Sequence, residues 1–296
     1  MNAPAHTAKH SQALQKPCRL ANEALKPRKE HVDVAVDGPA LTGSHYRLTN
    51  IEKDGTMTFT IIARDGNSGD FGLCIATGSP AVGSIAPFGA PGAGILSYQS
   101  VVEPRLGKVA LGLLEAGYSA EKVLSDMQQM DGNWEYRQVG IIDARGGKAV
   151  FSGKHNRHWA GHRVGSDYIA FGNLLSGEKT IDGICDAWES NRGASFDERL
   201  LLAIEGGRDA GGQPEGQTSA AIVSYGSKGM TRVNLRCDLA TEPIAELRRI
   251  FDWFAPLVPY YEDLADNPTL PRHKEWLIER GIKREFGKPP QPRQSR

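Results

Sequence analysis

The sequence predicts an α+β fold, a four-layer α/β/β/α sandwich of two mainly antiparallel sheets, and three observations predict it. Helical segments arrive in pairs, whereas a doubly wound parallel sheet needs strict strand–helix alternation. Consecutive strand patterns are joined by short turns such as Asp65-Gly66-Asn67-Ser68-Gly69 and Ala144-Arg145-Gly146-Gly147, which favours antiparallel pairing. Segments such as Phe71–Thr77 are apolar almost throughout, as expected when helices cover one face of a sheet and a second sheet covers the other.

The elements follow in order. Thr58–Ala63 reads as a strand, Phe71–Thr77 as its return, and Ile95–Gln99 as a third strand after a Gly/Pro/Ser-rich loop over residues 78–94. Pro104 opens a helix that Gly117 ends, and Ser119 caps the next. The pattern repeats: Gln138–Asp143 and Lys148–Phe151 form a hairpin, and Tyr168–Phe171 is another strand. A second helix pair covers Thr180–Ser190 and Phe196–Glu205, with Ser195 and Glu198 at capping-box spacing. Thr218–Tyr225 and Thr231–Cys237 are the last strands, and a helix over Glu242–Phe254 follows with Thr241 as its cap.

Around this domain, residues 57–254, the composition changes. Residues 1–56 are polar, include the basic cluster Lys26-Pro27-Arg28-Lys29, and read as a disordered or loosely docked leader. Residues 255–296 read as a partly disordered C-terminal extension, with a short helix at Lys274–Ile282 and disorder from Pro289. Trp253, Phe254, Tyr260 and Tyr261 are expected to dock it on the core, and exposed aromatics near Trp253 leave homo-oligomer formation open.

The 296 residues carry a formal net charge of +0 and are 40% hydrophobic, a composition suited to a soluble globular chain. Neutrality provides no electrostatic footprint for nucleic acid. The longest apolar runs are strand-sized, so no membrane association is expected. Met1–Lys16 has no apolar segment of the kind a secretory signal needs. Cys18, Cys74, Cys185 and Cys237 show no metal or disulfide spacing, which places the protein, with reduced thiols, in the cytoplasm.

The stretch that carries chemistry is Met57 to Asp65. Removal of Met57 and everything before it would leave a chain beginning with Thr58. One residue would then hold a nucleophilic hydroxyl and a basic amine. An α-amine has a pKa of about 7.7–8.0, so a useful fraction is neutral near physiological pH and can take the hydroxyl proton. The alternative is that Thr58 and Thr60 are ordinary β-formers on an exposed strand face.

Thr58–Asp65 (TFTIIARD), Arg137–Asp143 (RQVGIID), Trp159–Val164 (WAGHRV), Gly172–Leu175 (GNLL), Gln217–Ala221 (QTSAA) and Leu235–Arg248 resemble the DUF1028 family, which is placed among the Ntn (N-terminal nucleophile) hydrolase-like folds. The resemblance implies the sandwich reached above. It also implies that Thr58 occupies the position at which family members begin after their methionine. Two features depart from the family pattern: the 57 residues before Thr58, and the run Gly92–Gln99 (GAGILSYQ).

The resulting expectation is an Ntn-type amidohydrolase acting on a small amide or peptide-like substrate, with no cofactor and no metal. Thr58 is nucleophile and amine base, Asn173, Gln99 and Gln138 are candidate oxyanion donors, and Gln138 is also a candidate substrate-binding residue. Arg64, Asp65 and Arg137 either orient the amine and bind a substrate carboxylate or close the sheet edge as ion pairs. A second expectation keeps the leader attached and makes the protein a non-catalytic module that binds a small ligand or a partner. A third is a metal-dependent hydrolase using His155, His158 and His162, whose loop context removes the geometric meaning of their spacing. Ser219 is expected to be a structural strand residue.

Overall fold

The computed structural model describes residues 57–157 and 159–282. Two antiparallel sheets form its centre. The larger has the order β10-β9-β2-β1-β8-β7, and the smaller β3-β4-β5-β6. In the first, β1 is Thr58–Arg64, β2 Phe71–Thr77, β7 Gly161–Val164, β8 Tyr168–Asn173, β9 Ser219–Tyr225 and β10 Thr231–Cys237. In the second, β3 is Pro87–Ala90, β4 Gly94–Ser100, β5 Arg137–Asp143 and β6 Lys148–Ser152. The helices α1 (Pro104–Glu115) and α2 (Ala120–Met130) cover the smaller sheet; α3 (Glu178–Ser190), α4 (Phe196–Asp209) and α5 (Pro243–Phe254) cover the larger. The layers are therefore α/β/β/α.

Strand periodicity sorts β1 between two cores. Phe59, Ile61 and Ala63 pack with Ile184, Trp188, Leu200 and Ile204 under the helices. Ile62 points the other way and joins Leu73, Ile75, Ile95, Ile142, Ile169 and Phe171 between the sheets. Each fully buried Ile or Phe here contributes about 1.5–3 kcal/mol. On the other side of the smaller sheet, Leu96, Tyr98, Val139 and Ile141 meet Ala110, Leu114, Val123 and Met127 of α1 and α2.

The helix caps act as their residue types dictate. Ser119 Oγ accepts from the Lys122 N–H at 3.3 Å, and Ser195 Oγ from the Glu198 N–H at 3.4 Å. Asp143 adds a long-range anchor: its carboxylate accepts from the N–H groups of Ala120, Arg145 and Gly147 at 2.9 Å each, tying the β5–β6 turn to the start of α2. Thr241 does not cap α5; Glu242 occupies the cap position without a side-chain cap bond, and Pro243 starts the helix.

Two strands differ from the sequence reading. β3 lies within the segment expected to be loop, as a four-residue edge strand with proline at its first position, where a missing N–H is tolerated. β7 is the other addition, a short, largely exposed edge strand. After α5 the chain continues through α6 (Val258–Asp266) and α7 (His273–Glu279). Tyr260, Trp276, Leu277 and Leu257 form their own apolar cluster, and Arg232 of β10 pairs with Glu262 of α6. Phe254 stacks on Tyr261 with ring centroids 6.0 Å apart. The leader over residues 1–56, Cys18, His158 and the segment from Pro289 lie outside the described residues.

Gly140 is where the two sheets approach most demandingly. A Cβ there would lie 2.5 Å from the Phe171 ring, which is itself fully buried. Gly140→Ala is expected to lower stability by about 1–3 kcal/mol through overpacking, measured as a reduced urea midpoint with unchanged slope.

Candidate active site at the head of the central strand

The space between the sheets changes character along β1. At the Ile62 end it is apolar; at the Thr58 end it is polar. Strand alternation puts Thr58 and Thr60 of β1 and Asn173 of β8 on the same interior face as Ile62, and Ser97 and Gln99 of β4 and Gln138 of β5 on the facing side. All six are buried, Thr58 at 3% exposure and Thr60 and Gln138 at 0%. The two threonines thus do not lie on an exposed strand face.

The buried amides and hydroxyls bond to one another across the gap. Thr60 Oγ1 donates to Gln99 Oε1 at 2.6 Å, and Ser97 Oγ donates to the same oxygen at 3.0 Å. Gln99 Nε2 donates to Gln138 Oε1 at 3.0 Å, where Asn173 Nδ2 also donates at 3.1 Å. Gln138 Nε2 in turn meets the Gly172 carbonyl at 2.8 Å, Ser152 Oγ at 2.9 Å and the Gly161 carbonyl at 3.2 Å. The sequence-predicted Gln99, Gln138 and Asn173 are therefore brought together beside β1. Thr60, Thr77, Ser97 and Ser152 were missed, although Thr58-x-Thr60 and Ser97-x-Gln99 carry the two-residue period that marks one strand face.

Thr58 sits at the head of β1 between β2 and β8, with Thr77 and Asn173 directly opposite in the two registers. Its Oγ1 lies 3.1 Å from Thr77 Oγ1. The Thr77 hydroxyl donates its one proton to the Met57 carbonyl, so Thr58 is the donor in the Thr58–Thr77 pair. The Met57 carbonyl also accepts from the Gly78 N–H at 3.1 Å. Two donors thus converge on the carbonyl oxygen of the peptide bond whose nitrogen belongs to Thr58. Donors so placed stabilise negative charge developing on that oxygen.

Backbone conformation singles out the same end of the sandwich. Among the described residues, the non-glycine positions with positive φ are Ala81 at 58°, Ser100 at 71° and Leu174 at 53°. Each lies at or just past the end of a strand that carries a site residue: Ala81 after β2 with Thr77, Ser100 as the last residue of β4 with Gln99, and Leu174 after β8 with Asn173. Left-handed backbone at a residue with a Cβ costs on the order of 1–2 kcal/mol, and such strain clusters at functional sites. Ser219 anchors the first of these exits in a structural role, accepting from the Val82 N–H at 3.1 Å and donating to the Ser79 carbonyl at 2.6 Å.

The charged candidates are placed differently. Arg64 and Asp65 lie at the far end of β1, about 20 Å of extended chain from Thr58, and do not share its site. Asp65 Oδ1 instead accepts from the Asn67 and Ser68 N–H groups at 2.7 and 3.1 Å, shaping the β1–β2 turn. Arg137 is at the correct end but turns outward. Its Nε donates to Asp131 Oδ2 at 2.7 Å and its Nη1 to the Val101 carbonyl at 2.6 Å, so it holds the chain just after Ser100. Of the histidines, His155 packs at a tilt against Tyr136 with ring centroids 4.7 Å apart, and His162 Nδ1 lies 3.0 Å from Ser152 Oγ. Partial burial of the His162 ring lowers its pKa, although the residue as a whole is exposed. Among the described residues no group of three or more His, Cys, Asp or Glu could hold a metal ion. No described helix is long and apolar enough to cross a membrane.

A four-layer α/β/β/α sandwich with a buried polar network at the head of its central strand is the class of arrangement these elements define. Residues 58–247 match the family described as "Family of unknown function (DUF1028)", and the chain belongs to that family. Protein SPO2555 from Silicibacter pomeroyi, a DUF1028 structure, is similar at 28% identity with a TM-score of 0.62, over 67% of this chain and 89% of that one. Anbu (ancestral beta-subunit) from Yersinia bercovieri matches at 14% identity with a TM-score of 0.31, over 70% of this chain and 97% of that one. A comparison with curated proteins finds no match.

The Arg137–Asp131 pair yields a pH prediction. Burial alone would raise the Asp131 pKa. The hydrogen bonds from Arg137, Tyr98 and the Asn133 N–H outweigh it and hold the carboxyl below its ordinary range. A depressed folded value means that the stabilisation is present above the unfolded carboxyl pKa of about 3.9 and is lost as pH falls through the folded value. Asp131→Asn should therefore cost about 3–5 kcal/mol at neutral pH. Urea titrations from neutral to strongly acid pH should show the gap between variant and wild type closing on acidification.

Proposed function

We propose that this protein is an Ntn-type amidohydrolase of small amide or peptide-like substrates, with Thr58 as nucleophile. The observation that carries the reading is the placement of the Thr58 hydroxyl: buried, at the head of the central strand, donating to Thr77, with Asn173 across the register. In the intact chain the Thr58 nitrogen belongs to a peptide bond and is not a base. Scission after Met57 would free it, and the donors on the Met57 carbonyl suit that step. The freed amine then takes the Thr58 hydroxyl proton, and Oγ1 attacks the substrate carbonyl carbon. The amide nitrogen leaves with the proton, and water hydrolyses the ester. Thr77 and the Gly78 N–H, vacated by Met57, would face the substrate oxyanion, with Asn173 Nδ2 as a further donor.

One observation favours a second reading, a ligand-binding module with its leader attached. Met57 is itself built into the fold, 7% exposed, and its Cε is 2.9 Å from where a Gly78 Cβ would lie.

The two readings part at the N-terminus. Intact mass and N-terminal sequencing of protein expressed from the full chain should find Thr58 first, and an amide substrate screen should then find turnover. Thr58→Ala should reduce kcat by about 10³-fold or more while lowering stability by only about 1 kcal/mol; Thr58→Ser should keep part of the activity. A Thr58→Ala protein with wild-type turnover would sink the hydrolase reading.

A further inference from the structure

The end of the sandwich opposite Thr58 holds an open cleft of about 170 Å³ between the β1–β2, β5–β6 and β7–β8 turns, lined by Arg64, Arg145, Lys148, Gly146, Ser166 and Ile142, among others. Three of these side chains are cations. Arg64 lies over the Gly146 turn: a Cβ on Gly146 would be 3.6 Å from Arg64 Cδ and 3.8 Å from Nη1. Gly146 has φ of 85°, a backbone conformation that a larger residue would adopt only with strain. Arg64 also sits 5.8 Å from the Phe71 ring centroid, which fixes one face of the guanidinium.

The carboxylates nearby are already engaged. Asp143 takes three backbone N–H groups and Asp65 Oδ1 takes two. Asp167, which also lines the cleft, accepts from Trp188 Nε1 at 3.2 Å and from Ser166 Oγ at 3.1 Å, and pairs with Arg199 at 3.8 Å. Lys148 Nζ donates to the Ser166 carbonyl at 2.9 Å and the Gly146 carbonyl at 3.3 Å, which places it at the rim without neutralising it. Among the described residues, Arg64, Arg145 and Lys148 form no ion pair, and Arg64 Nε is buried without a hydrogen-bond partner.

From the cleft and the three cations that line it without an ion pair, we propose that the Arg64–Arg145–Lys148 cleft binds a small divalent oxyanion, either free phosphate or the phosphate group of a monoester. Guanidinium groups present paired N–H donors that match the oxygens of such an anion, and an ammonium adds a point charge. The cleft does not adjoin Thr58, so the ligand is separate from any amide substrate, and binding here is independent of whether Thr58 is a nucleophile.

The test is calorimetric titration of the full chain with inorganic phosphate and, separately, with glycerol 3-phosphate, at constant ionic strength set by sodium chloride. Saturable binding is expected, weakened about tenfold or more by Arg145→Gln, an exposed position whose replacement leaves the fold intact. Arg64→Gln, checked for folding by circular dichroism, should show a comparable loss, and a loss in either variant supports the cleft. Tighter binding of the ester identifies a phosphate monoester as the ligand class, and equal binding or preference for inorganic phosphate identifies the free anion. Absence of saturable binding to the wild type, or wild-type affinity in both variants, overturns the proposal.

Discussion

The interaction on which the site depends is the buried side-chain amide of Gln138. It rises from the smaller sheet and reaches the larger one, where it donates to the Gly172 carbonyl, accepts from Asn173, and is joined through Gln99 to Thr60. Bonds of this kind contribute only about 0.5–1.5 kcal/mol each when made, but cost about 1–3 kcal/mol per stranded partner when broken. That asymmetry makes the network specify geometry more than stability. Elsewhere between the sheets, Ile62, Leu73, Ile95 and Phe171 hold the layers by burial, which is non-directional. At the Thr58 end the spacing of the sheets is set by directional bonds.

The strained exits of β2, β4 and β8 persist because their surroundings over-determine them. Ser219 clamps the chain around Ala81 from both sides; Arg137 grips the Val101 carbonyl after Ser100; the Leu174 N–H donates to the Arg157 carbonyl at 3.3 Å. Arg137 in particular acts on the site without entering it. Its ion pair with Asp131, reinforced by the Tyr98 hydroxyl at 2.5 Å, fixes the segment that follows Gln99. Two unrelated side chains and one backbone bond thus secure three strained turns around one threonine.

Much of this was legible in the sequence, for identifiable reasons. Helix pairs, apolar strands and the Ser119 and Ser195 caps follow from local periodicity and cap chemistry, and both caps bond as expected. The amides Gln99, Gln138 and Asn173 could be named as candidates because an oxyanion needs N–H donors, yet their mutual contacts join strands far apart in sequence. Arg64 and Asp65 misled for the opposite reason: they are near Thr58 in sequence, but an extended strand carries them to the other end of the molecule. β3 was hidden by Pro87 and Gly89, since an edge strand needs neither high β-propensity nor a donor at every position.

The docking of α6 and α7 bears on where this protein can be cut. The family match ends at residue 247, inside α5. A chain stopped there would lose Phe251, which packs in the main core at 2% exposure, and would leave Arg232 without Glu262. The apolar surface under α5 would then face water as a contiguous patch of the kind that drives aggregation. A cut that keeps the main core and the Arg232–Glu262 pair therefore falls beyond Glu262, not at the end of the shared family pattern.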